Sequence, residues 1–193
     1  MKKNVAILVF DDVEVLDFAG PFEVFAVTDE LQNHESFHTF TLALTPGSVR
    51  ARNGLKVVPD FTLENCPPPH VLVIPGGAGT RPLLAKPALL EWLRTKSFDA
   101  EVVMSVCTGA LVLARAGLLE GLRATTHHEN FVELRQLAPH TEVVETERFV
   151  DNGKVLTTAG ISAGIDCSLH VVARLLGPDA ATTTARYMEY RRP

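Results

Sequence analysis

The 193-residue sequence is poor in cysteine, in basic charge and in long apolar runs, and each scarcity excludes something. Its three cysteines, Cys66, Cys107 and Cys167, form no C-x-x-C pair and lack zinc-site spacing. A disulfide framework and a structural metal site are therefore not expected, and no metal ligand is assigned. Eighteen Lys and Arg stand against 23 Asp and Glu, a net charge of −5. No long basic run breaks that balance, and Arg191-Arg192 is too small a cluster to neutralise a phosphate backbone, so nucleic acid is not an expected partner. No stretch reaches the roughly 18 continuous apolar residues of a membrane span. Lys2-Lys3 and the apolar run Val5 to Phe10 imitate a secretory signal, but Asp11-Asp12 follow at once. The expectation is a cytoplasmic protein with no membrane association. G-x-G-x-x-G and the P-loop lysine are also missing, which disfavours a nucleotide site.

What remains is a chain with 46% hydrophobic residues. At about 150 residues per domain it reads as one domain over residues 1–193, able to bury roughly 70% of its unfolded surface without a staple. Lys3 to Phe10, Val71 to Ile74 and Val102 to Val106 are continuous β-branched and apolar runs, the pattern of strands buried on both faces. Helical patterns lie between them at Pro21 to Val27, Pro87 to Lys96 and Ala110 to Ala116. Pro21 suits a first helical turn, which leaves Asp17 in the approach to the helix. Shorter strands are expected at His38 to Leu44 and Leu55 to Val58. Arg148 to Thr158 reads as a hairpin turning at Asn152-Gly153. Ser162 and Asp179 are candidate caps for two final helices. Strands alternating with helices predict an α/β sandwich, a mostly parallel sheet with helices on both faces.

The sharpest local feature is Ser105-Val106-Cys107-Thr108-Gly109-Ala110, where a buried strand passes directly into a helix. Such a junction thrusts one residue up at the carboxyl edge of the sheet, as in the strand–turn–helix of a nucleophile elbow. A thiol there would feel the helix N-terminus and its free amides, which favour the thiolate. Cys66, in a Pro-bounded loop, and Cys167, on an apolar helix face, read as packing residues. Gly76 and Gly77 follow another buried strand, so the amides of Gly77 and Thr108 are candidates to bind a developing negative charge. Asp17, flanked by apolar residues, is a candidate proton carrier whose pKa would rise beside a thiolate. His127 could supply a base or a pocket wall. His127 and Glu129 make a local H-x-E, too few ligands for a metal.

These segments together resemble the ThiJ/PfpI superfamily, with its class I glutamine-amidotransferase-like, flavodoxin-like three-layer sandwich, and within it the isonitrile hydratase branch. The resemblance runs through Leu16-Asp17-Phe18-Ala19-Gly20-Pro21, Val73-Ile74-Pro75-Gly76-Gly77, Val106-Cys107-Thr108-Gly109-Ala110, Ala124-Thr125-Thr126-His127 and Thr158-Ala159-Gly160-Ile161-Ser162. It implies catalytic roles for Cys107, Asp17 and Thr108, a small-molecule substrate, no cofactor and a homodimer. The implied reaction is isocyanide plus water to an N-substituted formamide through a Cys107 thioimidate. Peptidase-like members carry His where this chain has Thr108, and glyoxalase or deglycase-like members carry Glu where it has Asp17. The hydratase branch often has an aromatic residue at the position of His128, which would matter if that residue lined the pocket. Two alternatives accompany the hydratase: a reactive-carbonyl defence enzyme, and a redox-sensing stress protein or chaperone. With Pro193 as its last residue, the sequence offers no second, basic domain for a transcriptional regulator.

Overall fold

The computed structural model describes residues 2–191; Arg192 and Pro193, noted above, lie outside the described residues. The chain opens with β1 (Lys3–Leu8), α1 (Val15–Leu31) and β2 (Phe37–Ala43), followed by the short strands β3 (Val49–Arg50), β4 (Lys56–Val57) and β5 (Phe61–Thr62). Next come β6 (Val71–Ile74), α2 (Thr80–Leu83), α3 (Pro87–Asp99), β7 (Val102–Ser105) and α4 (Gly109–Arg115). The last third holds β8 (Arg123–Ala124), α5 (Phe131–Leu137), β9 (Glu142–Val143), β10 (Phe149–Asp151), β11 (Val155–Thr158), α6 (Ala163–Leu176) and α7 (Pro178–Tyr187).

The main sheet has seven strands in the order β10-β11-β7-β6-β1-β2-β5, parallel throughout except where β10 runs against β11. Val5 to Leu8, Val71 to Ile74 and Val102 to Met104 are fully buried, as the unbroken apolar runs require once helices cover both faces. Helices α1, α6 and α7 pack together, and α2, α3 and α5 gather around α4, so the molecule is a three-layer α/β sandwich. The middle strands follow the doubly wound order 2-1-3-4-5, in which the chain reverses direction across the sheet between β1 and β6. Open α/β sheets bind ligands in the crevice at the carboxyl ends of the two strands flanking that reversal. Asp17 follows β1, Gly76 and Gly77 follow β6, and Cys107 follows β7, the next strand along.

Three local expectations change. The first helix begins at Val15, so Asp17 stands in its first turn and Pro21 inside it. Pro21 lacks the N–H that would bond the Asp17 carbonyl, a defect the helix tolerates directly beneath the site. Ser162 occupies an N-cap position without a capping bond, because its hydroxyl accepts from Arg148 at 3.3 Å instead. Asp179 lies within the first turn of α7, whose N-cap is Gly177, and that helix stops at Tyr187. The hairpin at Asn152-Gly153 forms antiparallel, with Gly153 at φ +82°. Among the described residues, no helix is long and apolar enough to cross a membrane.

Candidate active site

Cys107 has φ +54°, the left-handed region that a non-glycine residue occupies only when its surroundings hold it there. Two bonds do so: its N–H donates to the Ala159 carbonyl at 3.1 Å, and its carbonyl accepts from the Thr126 hydroxyl at 2.8 Å. The turn places the thiol within hydrogen-bonding reach of Asp17. Thr126 is thus part of the site, and the Thr-Thr pair ahead of His127 was its sequence signal.

Asp17 is fully buried. Its Oδ2 accepts from the Gly76 amide at 2.9 Å, while Oδ1 is buried with no hydrogen-bond partner. The loop that brings Gly76 there is pinned to the start of α1, since the Glu14 amide donates to the Gly76 carbonyl at 2.9 Å and Val13 bridges Gly77. The Gly77 amide donates to the Thr108 hydroxyl at 2.9 Å, and that hydroxyl lies 3.2 Å from the Gly77 carbonyl. Both glycine amides are therefore already engaged. They hold Asp17 and Thr108 in place, and the expected role of Gly77 as an open anion-binding amide is corrected on that ground. The amides that face the Cys107 sulfur are those of Thr108 and Ile161. Ile161, itself at φ +45°, escaped sequence reading because nothing in an aliphatic residue announces a backbone donor.

Gly76 sits where Asp17 and Thr108 converge. A Cβ there would lie 2.5 Å from the Thr108 nitrogen, 2.7 Å from its hydroxyl and 2.8 Å from Asp17 Oδ2. Gly76→Ala should therefore push the Asp17 and Thr108 side chains apart and, for a reaction at this site, cut kcat by on the order of 10²-fold, as a misplacement of about 1 Å can. Steady-state kinetics of the folded variant checks this.

Burial sets the proton inventory. It drives the Cys107 thiol up to about 12, the Asp17 carboxylate adds to the rise, and the Thr108 and Ile161 amides and the Thr108 hydroxyl act against it. This corrects the expectation of a thiolate favoured at a helix N-terminus: α4 is seven residues long and starts two residues beyond the thiol, too little to offset desolvation. Burial also lifts Asp17 to about 7; the Gly76 amide and a Cys107 hydrogen bond pull it down and Glu14 pushes it up. Desolvation, rather than a neighbouring thiolate, is thus the main cause of the Asp17 shift. Near neutral pH the buried pair therefore carries at most one negative charge.

Above the pair opens a cavity of about 290 Å³, lined in part by Cys107, Thr108, Gly77, Ala78, Ile161 and His127. Its rim brings Glu14, Arg52 and Arg81, none of them evident from sequence because they converge only through tertiary packing. Larger concavities of about 390 and 500 Å³ lie around the Asp11-Asp12 loop, and Cys107 lines neither. His127 stands over Gly160, its Nδ1 accepting from the Glu129 amide at 3.4 Å. Burial and then the neighbouring His128 hold its pKa below the usual value. His128 is exposed and stacks on His127 with centroids 4.3 Å apart, outside the cavity lining. Glu129 Oε2 is 3.9 Å from His127, and among the described residues no group of three or more His, Cys, Asp or Glu is placed to hold a metal ion.

The chain is similar to known proteins over most of its length. It is 37% identical over 191 residues to isonitrile hydratase of Pseudomonas putida, covering 98% of this chain and 79% of that one. It is 32% identical over 182 residues to the HTH-type transcriptional regulator CdhR of Pseudomonas aeruginosa, covering 94% of this chain but spanning only about half, 53%, of the regulator. The crystal structure of a ThiJ/PfpI family protein from Pseudomonas syringae superposes with a TM-score of 0.88 at 30% identity, over 100% of this chain and 77% of that one. The DJ-1/PfpI family pattern matches residues 3–174, from β1 to near the end of α6. With the family pattern, the sequence match and the superposition in agreement, the chain belongs to the DJ-1/PfpI family.

Proposed function

We propose that this protein is an enzyme that hydrates small isocyanides to N-substituted formamides, with Cys107 as nucleophile and Asp17 as proton carrier. The observation that carries the reading is the buried thiol–carboxyl pair, one oxygen of which, Asp17 Oδ1, is unpartnered. An isocyanide carbon must receive a nucleophile and a proton on the same atom. That demand suits a protonated thiol beside a carboxylate better than it suits a preformed thiolate. In the first step Asp17 takes the Cys107 proton, sulfur bonds to the terminal carbon of R–N≡C, and Asp17 returns the proton to that carbon, giving R–N=CH–S. Water oriented by Asp17 Oδ1 and the Thr108 hydroxyl then adds to carbon while nitrogen gains a proton. The C–S bond breaks as the new hydroxyl proton passes through Asp17 to sulfur, releasing R–NH–CHO and the free thiol. Every atom is accounted for, and the residues named require no cofactor.

Two features favour this over carbonyl chemistry. Attack on a carbonyl builds an oxyanion, and with the Gly76 and Gly77 amides committed to Asp17 and Thr108 only the Thr108 and Ile161 amides near the sulfur are left to receive it. The relative with the isonitrile hydratase name is also similar over nearly the whole chain. A peroxide-sensing role is less well supported, because sensor cysteines are low-pKa thiols and burial pushes this one to about 12. The test is a parallel screen of wild type on alkyl isocyanides and on methylglyoxal. Isocyanide consumption with matching formamide is expected; methylglyoxal turnover alone transfers the assignment to carbonyl defence. Ala78 and Ile161 are the aliphatic side chains of an otherwise polar lining, so short or polar-substituted isocyanides should show higher kcat/KM than cyclohexyl isocyanide.

A further inference from the structure

Residues 159–162 join β11 to α6 and shape the cysteine turn. The Ala159 carbonyl accepts from the Cys107 amide at 3.1 Å, and the Ile161 amide faces the sulfur. Ile161 stands at φ +45°, so the segment holds a conformation that its surroundings must impose. Arg148 grips both ends of it. The Arg148 carbonyl accepts from the Ala159 amide at 2.9 Å, and its Nη2 donates to the Ser162 hydroxyl at 3.3 Å. Asp166, in the first turn of α6, fixes the guanidinium in turn. Its Oδ2 accepts from Arg148 Nε at 2.7 Å and also pairs with Nη2, while its Oδ1 accepts from the Tyr190 hydroxyl at 2.8 Å. With its side chain only 7% exposed and both oxygens occupied, Asp166 is a firm anchor for a forked cation.

We propose that Arg148, anchored by Asp166, is a positioning residue for the nucleophile: its grip on Ser162 keeps residues 159–162 in the shape that seats the Ala159 carbonyl on the Cys107 backbone and the Ile161 amide on its sulfur. The proposal rests on Cys107 being that nucleophile. The backbone bond at Ala159 fixes one end of the segment. Ile161 lies two residues further on, next to Ser162, so the far end decides where its amide points. Ser162 is the N-cap residue of α6, where a hydroxyl ordinarily turns back to the helix amides, yet it makes no capping bond and meets Arg148 instead. Between the two ends, the segment is backed by His127: a Cβ on Gly160 would lie 2.5 Å from His127 Cδ2. The Ala163 and Gly164 amides donate to the Gly160 and Ile161 carbonyls at 3.1 and 3.2 Å, which ties the segment's shape to the start of α6. Neither Arg148 nor Ser162 lines the cavity, so their route to the reaction runs through this segment. A lysine at 148 could pair with Asp166 as a point charge, but it lacks the planar fork that serves Asp166 and Ser162 together.

Amide hydrogen exchange, read peptide by peptide by mass spectrometry, tests this beside steady-state kinetics on wild type, Arg148→Lys and Ser162→Ala. Ser162→Ala removes the grip at an exposed position and leaves the Arg148–Asp166 pair whole, so it keeps the test open if Arg148→Lys folds poorly. In both variants, exchange in the Cys107 peptide should quicken by roughly three- to tenfold, the range for one hydrogen bond, while the β1 and β6 peptides exchange as in wild type. For isocyanide hydration, kcat should fall by a similar factor with KM unchanged, because substrate touches neither residue. Unchanged exchange at the Cys107 peptide in both variants overturns the proposal. Faster exchange in every peptide alike in Ser162→Ala marks a merely structural contact and overturns it too, as does an unchanged kcat beside a loosened turn. Because exchange needs no substrate, loosening confined to the cysteine turn in a protein that hydrates no isocyanide would sustain the seating of Cys107 by Arg148 while removing the hydratase reading.

Discussion

Cys107→Ser should lower isocyanide hydration by on the order of 10⁴-fold or more, with the fold intact. The hydroxyl would occupy nearly the same volume at φ +54° and meet the same Thr108 and Ile161 amides. It cannot play the same part, because Asp17 at about 7 can share a proton with a thiol pushed to about 12 but has far less hold on an alcohol proton. Serine oxygen is also a weaker nucleophile toward a soft carbon. Cys107→Ala should be equally inactive. Cys66→Ser, in a half-buried loop away from the cavity, should retain full activity. The measurement is initial-rate formamide production, together with thermal melts to confirm folding. Comparable turnover by Cys107→Ser and wild type would remove the thiol from the reaction.

Asp17→Asn should separate activity from stability in opposite directions. Burial raises the Asp17 carboxyl from 3.8 to about 7, so across that interval the folded protein holds more of this proton than the unfolded chain does. The group's contribution to stability is fully present below the unfolded value and is lost as pH rises through the folded one. Above pH 7 the ionised carboxylate sits buried at a cost on the order of 2–4 kcal/mol. Asn keeps the volume, and its carbonyl oxygen can still accept from the Gly76 amide. The variant should accordingly melt several degrees above wild type at pH 8, and the margin should shrink toward zero at pH 4. Hydration should fall by 10²- to 10⁴-fold, the range for losing a positioned acid–base group. Equal melting temperatures at pH 8 would mean that Asp17 is solvated rather than buried. Retained turnover would mean that the proton travels another way.

Much of this was legible in the residues, for reasons that differ from element to element. The runs at Val5, Val71 and Val102 announced strands because parallel sheets covered on both faces need unbroken apolar sequence. The cysteine turn is visible because a buried strand passes within three residues into a helix that starts at Gly109. The helix around Asp17 was read short because Pro21 is a strong boundary signal, and tertiary packing of α1 against α6 overrode it. The burial that raises the Cys107 thiol is not legible in sequence, because a helix N-terminus shows there whereas desolvation shows only once the neighbours are in place. The same limit hid Arg52 and Glu14, which meet through a hairpin that no local spacing encodes. Gly76 and Gly77 were found as site residues but in another role, since which way an amide points is decided by the turn, here with Gly77 at φ +122°.

The central claim is that the reaction passes through a covalent bond to Cys107. Rapid quenching of wild type with excess alkyl isocyanide, followed by peptide mass spectrometry, tests it most directly. The predicted result is a transient adduct of the full mass of the isocyanide on the Cys107 peptide. It should decay as formamide accumulates and never form in Cys107→Ser. Formamide release at the wild-type rate with Cys107 unmodified throughout would contradict it.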